Sequence, residues 1–301
     1  MTTLKIEERD IPQLTGKNVI ITGGSSGIGL ASAEIMASRG AHVTILDICQ
    51  PQETLNMGIQ YQKCDISNWA ELSAVFSASS PVHIAVANAG QGEDGSYLKD
   101  SYDEQGNLLE PKYNVIDTNF RGTLNFIKLA LHNMKKNSIK GSIVITSSAT
   151  AYSAEQSLPV YSGTKAALIN YMRAMRSSLR GSGITINAVA PAATITGLLP
   201  ADLAAPIMAA GLPVSTAHFV GLAVAYSAVA SEPDKVEAYG KDSAEWKQSS
   251  GRWNGRTILT LGQRYTELEG PISDCRDKWF GQDNLRETKL QQAATDFRGL
   301  T

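Results

Sequence analysis

The chain alternates short apolar runs with longer amphipathic stretches, and that alternation predicts its architecture. Seven apolar runs read as strands: Lys17 to Ile21, His42 to Leu46, Ile59 to Cys64, Val82 to Ala87, Gly141 to Thr146, Ile184 to Ala190 and Thr257 to Leu261. Helical periodicity fills several intervals. Leu30, Ala33, Ile35, Met36 and Ala37 form the apolar side of the first helix, and Ser67 or Asn68 caps the next, to about Ser77. Further helices are predicted from about Tyr113 to Met134, after Tyr161 (with Leu168, Met172, Met175 and Leu179 as a packing stripe) and from about Ser215 to Ala230. The β-α-β succession predicts an α/β fold, a doubly wound parallel sheet of seven strands with helices on both faces. No internal repeat or low-complexity segment interrupts it. One domain is therefore expected over residues 1–301, with a core at about 14–262 and a C-terminal extension at 263–301.

The turns between these elements carry the candidate chemistry. The first strand runs into Thr22-Gly-Gly-Ser-Ser-Gly-Ile-Gly29 and then a helix, an order that aims a helix N-terminus at a phosphate. Glycine at 23, 27 and 29 permits the tight turn, the close approach of a pyrophosphate and the helix–strand contact. Asp47 ends the second strand, eighteen residues past Gly29. It is either an ordinary turn residue or the carboxylate that accepts hydrogen bonds from an adenosine ribose. No arginine or lysine stands at 46, 48 or 49, and position 26 is uncharged, so a ribose 2′-phosphate would face an uncompensated charge. These two features favour NAD over NADP. Asn88-Ala89-Gly90 closes the fourth strand with small residues, which form a plain turn or let the backbone pass beneath a ribose.

Tyr161 and Lys165, four apart on a helix, share a face. An ammonium near a phenol favours the phenolate and draws its pKa from about 10 toward neutrality. Such a tyrosine exchanges protons with a substrate hydroxyl at physiological pH. Ser147-Ser148 follows the fifth strand, where a hydroxyl reaches the sheet edge. Asn119 inside a helix is unfavourable by propensity, which points to a local job for its amide. Taken alone, Y-x-x-x-K is also an ordinary pattern on a solvated helix face.

Composition narrows the classes. The 301 residues are 43% hydrophobic and 19% charged with a net charge of −2, an ordinary globular balance with material for a sizeable core. The absence of a basic run argues against nucleic acid or an anionic membrane as partner. Cys49, Cys64 and Cys275 lie far apart and are odd in number, which suits reduced thiols. The four histidines show no H-E-x-x-H pattern, and no catalytic metal is expected. The polar, acidic N-terminus is unlike a secretory signal, and the apolar run Phe219 to Ala230 is too short to span a bilayer. A cytoplasmic location is expected.

In this order and on these elements, the motifs resemble the short-chain dehydrogenase/reductase family, in its branch with T-G-x-x-x-G-x-G and Y-x-x-x-K. The similarity covers about Lys17 to Leu261 and rests on Thr22-Gly23, Gly27 and Gly29; Asp65-Ile66; Asn88-Ala89-Gly90; Asn119; Ser148, Tyr161 and Lys165; and Asn187 through Pro191 to Thr196. It implies a Rossmann-type fold. It further implies that Tyr161 is the general acid/base and that Lys165 lowers its pKa and binds the nicotinamide ribose. Ser148, rather than Ser147, would hold the substrate oxygen, and Asn119 would anchor a water in a proton relay. The implied NAD contacts are Gly23, Ser25, Ser26, Gly27, Ile28, Gly29, Asp47, Asp65, Ile66, Asn88, Ala89, Gly90, Tyr161, Lys165, Pro191, Thr194 and Thr196, the last at the carboxamide. Ala87 stands where the family often has a second asparagine, and Ala192 replaces the usual glycine after Pro191. The surroundings of Asp47 resemble NAD-dependent members of the 15-hydroxyprostaglandin dehydrogenase type, which implies alcohol oxidation as the working direction. The acidic loop before Asn119 and the long tail resemble fungal members of secondary metabolism.

The apolar segment 192–214 lies where the family closes a lid over substrate. Leu198, Leu199, Leu203, Ile207, Met208 and Leu212 either line a cavity suited to a steroid, terpenoid or polyketide alcohol or pack a helix on the sheet. Residues 91–112 form a long polar loop with six acidic side chains, Asp94 among them. In the extension, Trp279-Phe280 and the run Asn284 to Phe297 cover the substrate mouth, pack on a neighbouring subunit or remain solvated. Related enzymes associate through helices corresponding to Tyr113 to Met134 and Ser162 to Gly181, so a homodimer or homotetramer is implied. Two other functions stay open. One is NADH-dependent carbonyl reduction by the same residues; the other is a dinucleotide-sensing protein, which expects loss of Ser148, Tyr161 or Lys165.

Overall fold

All seven expected strands pair in parallel in a computed structural model that describes residues 2–93, 95 and 97–298. Met1, Asp94 and Ser96 of the acidic loop and the last three residues of the tail lie outside the described residues. The strands are β2 (Asn18–Thr22), β3 (His42–Asp47), β4 (Ile59–Lys63), β5 (Ile84–Ala87), β6 (Ser142–Thr146), β7 (Thr185–Pro191) and β8 (Thr257–Leu261), in the order β4-β3-β2-β5-β6-β7-β8. The central runs β5, β6 and β7 are buried along their whole length because both faces are covered, whereas the edge strand β4 exposes Gln60, Gln62 and Lys63. Ile21, Val43, Val86, Val144 and Val189 point into one layer with α1 (Gly27–Ser38) and α6 (Ala217–Val229). Ile20, Ala85, Ile143, Ile145 and Ile186 point into the other. There they meet α2 (Trp69–Ala78), α3 (residues 114–136) and α4 (Pro159–Ser178) through Phe76, Phe126, Met134, Leu168 and Met172.

The sheet has nine strands rather than seven. After β8, Gly262 adopts φ +58 and the chain folds back as β9 (Arg264–Glu267), antiparallel to β8, and β1 (Thr3–Leu4) adds antiparallel to β9. Tyr265 anchors this hairpin. Its ring stacks on Phe219 at 3.9 Å between centroids, and its hydroxyl donates to the Phe219 carbonyl at 2.8 Å. The extension thus begins inside the sheet. It ends near α4, where the Arg298 guanidinium donates to Ser177 Oγ at 2.8 Å and pairs with Asp242. Between these anchors the Gln282–Ala294 helix buries no side chain, and Trp279 packs edge-on against Phe280 with both exposed.

Strand order reverses between β2 and β5, which opens a crevice beyond their C-terminal ends. The glycine turn, Asn88-Ala89-Gly90 and Ser147-Ser148 all follow strands at that edge. Among the described residues, no helix is long and apolar enough to cross a membrane.

Candidate active site

The glycine turn is shaped by backbone crowding. Gly23 and Gly27 take φ of +64 and +52, a region that disfavours side chains. A Cβ on Gly23 would lie 2.7 Å from Ala89 Cα, and one on Gly29 would lie 2.1 Å from the Gly23 carbonyl oxygen. Ser26 leads into α1 in extended conformation without a side-chain cap, so the first-turn N–H groups face the crevice unpaired by a side chain. That bare, glycine-lined helix start fits a pyrophosphate.

Asp47 sits beside it. One carboxylate oxygen accepts the Ser25 N–H and the other the Cys49 N–H, both at 3.1 Å. Strand register sets Lys63 across from Asp47, a cation invisible to a reading of positions 46, 48 and 49; no ion pair joins the two. The Asp65 carboxylate closes its own turn by accepting the Ser67 N–H and hydroxyl, and Ile66 is buried.

Asn88 ties three strand ends together. Its Nδ2 donates to the Thr22 and Gly23 carbonyls at 3.1 Å, and its Oδ1 accepts the Thr146 hydroxyl at 3.0 Å. Thr22 Oγ1 in turn accepts the Asn88 and Ala89 N–H groups. The asparagine amide is thus spent on bracing the crevice. Gly90 keeps space open beyond it: a Cβ there would lie 3.2 Å from Asn119 Oδ1 and 3.4 Å from Lys165 Nζ.

Helix α4 carries Tyr161 and Lys165, with Lys165 Nζ 5.6 Å from the centre of the Tyr161 ring. Lys165 is 4% exposed, and its ammonium donates to the Thr146 carbonyl at 3.0 Å. The two serines separate by alternation. Ser147 Oγ turns inward to donate to the Lys165 carbonyl at 2.9 Å, whereas Ser148 Oγ accepts the Thr150 N–H and is near enough to the Tyr161 phenol to oppose the rise of its pKa. Asn119 lies fully buried in a π turn, Asp117–Gly122, that interrupts α3. The wider turn leaves its amide free to clamp Gln91, whose N–H and carbonyl lie at 2.8 and 2.9 Å.

One expectation is corrected. Burial pushes the Tyr161 phenol above its ordinary value, opposed by the Ser148 hydrogen bond, so the lowering expected from Lys165 does not dominate. The same burial pushes Lys165 down to about 8. Spacing along a helix reveals a neighbour but not the desolvation of both groups.

Pro191 ends β7 and is buried; the Thr194 hydroxyl donates to the Ala192 carbonyl. Thr196 Oγ1 accepts the Leu198 and Leu199 N–H groups, and its side chain lies against Gly27, bringing the base of the 192–214 segment onto the glycine turn. Of that segment, α5 (Ala201–Ala209) buries only Ala204. Leu198, Leu203, Met208 and Leu212 are exposed, as are Tyr97, Leu98, Tyr102, Leu108 and Leu109 of the loop. These leucines do not pack on the sheet. Two hollows of about 250 and 240 Å³ lie elsewhere, beside Phe219 and beside Phe297, and neither is lined by a catalytic candidate. Among the described residues no cluster of His, Cys, Asp and Glu side chains is placed to hold a metal ion. The sequence reading missed Gln91 and Glu93, whose loop carries no periodic signal.

A family model described as short chain dehydrogenase matches residues 17–204. The short-chain dehydrogenase/reductase prx4 of Penicillium roqueforti is 55% identical over 300 residues, covering 99% of this chain and 90% of that protein. The short-chain dehydrogenase/reductase ATR7 of Stachybotrys chlorohalonatus is 48% identical over 306 residues, covering 99% and 95%. Among solved structures, a 3-ketoacyl-(acyl-carrier-protein) reductase from Brucella melitensis complexed with NADH matches at TM-score 0.65 and 23% identity, over 83% of this chain and 98% of that one. A short-chain type dehydrogenase/reductase from Mycobacterium marinum matches at TM-score 0.66 and 22% identity, over 85% and 98%. The last two similarities bear on the fold alone.

Proposed function

The chain belongs to the short-chain dehydrogenase/reductase family, and on that premise we propose that it is an NAD-dependent oxidoreductase interconverting a secondary alcohol and a ketone. The convergence of Tyr161, Lys165 and Ser148 at the crevice carries this reading. A bound nicotinamide supplies the hydride acceptor or donor. Ser148 holds the substrate oxygen beside the phenol, and Tyr161 takes the hydroxyl proton in oxidation and returns it in reduction. Lys165 would stabilise the phenolate and hold the nicotinamide ribose, and Asn119 would anchor the water through which the proton leaves. The turn from Gly23 to Gly29, with Ser25, Ser26 and Ile28, would hold the pyrophosphate. Asp65 and Ile66 would hold the adenine, Ala89 and Gly90 a ribose, and Pro191, Thr194 and Thr196 the nicotinamide.

Asp47 supports NAD over NADP, although Lys63 stands opposite it. Wild-type protein should bind NAD more tightly than NADP, and Asp47→Ala should weaken NAD by about tenfold or more, the worth of a charge-assisted hydrogen bond. Titration of both dinucleotides decides this; a wild-type preference for NADP sinks it.

The raised phenol favours a second reading for direction. The protonated phenol donates in NADH-dependent ketone reduction, the reverse of the oxidation, by the same residues. For the substrate, the exposed leucines and methionine of segment 192–214 support a bulky apolar molecule of steroid, terpenoid or polyketide type. The high identity to the Penicillium and Stachybotrys proteins supports a place in fungal secondary metabolism. In a panel assay, bulky apolar alcohols and ketones should give higher kcat/KM than small polar ones, and the reverse ranking overturns the assignment. A homodimer or homotetramer through α3 and α4 remains part of the reading.

A further inference from the structure

Helix α4, which carries Tyr161 and Lys165, begins without a cap of its own. Leu158 stands at the N-cap position and offers no side-chain acceptor, and Pro159 follows it. The N–H groups of a first turn need an acceptor from elsewhere when they are taken out of water. Glu93 supplies it: its Oε2 accepts the Tyr161 backbone N–H at 2.8 Å across 68 residues of sequence. Two residues earlier, Gln91 is clamped at both its N–H and its carbonyl by Asn119, and its side chain donates to the Thr118 hydroxyl at 3.0 Å. Gly92, between them, lies against the lid, where an added Cβ would be 3.4 Å from Leu198 Cδ1.

We propose that Gln91-Gly92-Glu93 is a strap joining Asn119 to the helix turn that holds Tyr161, with Glu93 as a positioning residue for the general acid/base. This rests on the catalytic reading of Tyr161. The strap spans the mouth between α3 and α4, so it fixes the Tyr161 main chain relative to the π turn of Asn119. A carboxylate at a helix N-terminus also meets the favourable end of the helix dipole. The mechanism needs the phenol, the Ser148 hydroxyl and the substrate oxygen held together. A displacement of the Tyr161 turn by a fraction of an ångström therefore acts on turnover rather than on dinucleotide binding.

Glu93→Ala removes the acceptor, and Glu93→Gln keeps an amide oxygen in its place. Glu93→Ala should lower kcat by about tenfold, with KM for the dinucleotide within about twofold, since misplacement of reacting groups is felt chiefly in the chemical step. Glu93→Gln should restore kcat to within about threefold. Hydrogen exchange reads the strap without turnover: the Tyr161 amide should be protected in the wild type and in Glu93→Gln, and exposed in Glu93→Ala. Equal protection of that amide in all three proteins overturns the strap. Altered protection with unchanged kcat in Glu93→Ala overturns the positioning role. If wild type and variants alike lack dinucleotide-dependent turnover, the catalytic reading of Tyr161 fails, while the exchange result still decides whether the strap exists.

Discussion

Tyr161→Phe should lower turnover by about a thousandfold, within the span of positioned acid–base catalysis, while dinucleotide affinity stays within about threefold. The substitution removes one oxygen and keeps the ring, so the packing of α4 and the position of Lys165 are preserved. In the proposed mechanism it removes the group that exchanges the substrate proton and leaves Ser148 to hold the substrate oxygen alone. The pH profiles carry the same information with a sign. Burial raises the folded-state pKa of the phenol, so the protonated form prevails at neutral pH. Ketone reduction should therefore run fully there and fall as pH rises through that pKa, whereas alcohol oxidation should climb over the same range. In Tyr161→Phe both profiles should lose that transition. Steady-state rates in both directions, paired with calorimetric titration of NAD, make the measurement. Retention of a tenth or more of wild-type turnover removes Tyr161 from its role. A wild type that binds NAD but turns over nothing across a broad alcohol and ketone panel favours the dinucleotide-sensing reading.

The central parallel strands were legible because burial on both faces leaves an apolar run in the sequence, and β4, an edge strand with exposed Gln60, Gln62 and Lys63, through its place in the β-α-β succession. β1 and β9 were not, since two and four residues are too short to show a period. The site was legible where local spacing carries it: the glycine turn, and Tyr161 one helical turn before Lys165. Asn119 was flagged by its poor helix propensity, and the π turn gives the reason. The choice of Ser148 over Ser147 came from resemblance; in the fold the Ser147 hydroxyl is turned inward onto the Lys165 carbonyl. Contacts made by folding were beyond reach. Lys63 meets Asp47 only through strand register, Glu93 meets Tyr161 only through a loop, and the direction of the phenol shift depends on burial. The placement of the extension stayed open because its ion pairs join residues far apart in sequence.

Among those pairs, the one at Glu269 should matter most to stability. Its side chain is 2% exposed and accepts Arg173 through two hydrogen bonds, at 2.8 and 2.9 Å, across 96 residues. Tyr152 donates to the same carboxylate at 2.5 Å, which joins the segment after Ser148 to α4 and to the start of the extension. Burial, with the nearby Glu269 charge, pushes the Tyr152 phenol far up, so it remains a donor throughout the neutral range. Removing one partner of a buried pair leaves the others desolvated and unpaired. Glu269→Ala should therefore cost about 3–5 kcal/mol. At roughly 2 °C per kcal/mol for a chain of this size, Tm should fall by about 6–10 °C. Replacing both charges by apolar side chains, Arg173→Met with Glu269→Leu, should cost less than the two single changes added together, because neither Arg173 nor Glu269 is left without the other and Arg176 keeps Glu237. Thermal melts of Glu269→Ala, of the two single changes Arg173→Met and Glu269→Leu, and of their double variant test this. A loss below about 1 kcal/mol for Glu269→Ala, the usual worth of a surface pair, would mean that water reaches the carboxylate and that the extension is not locked to the catalytic turn.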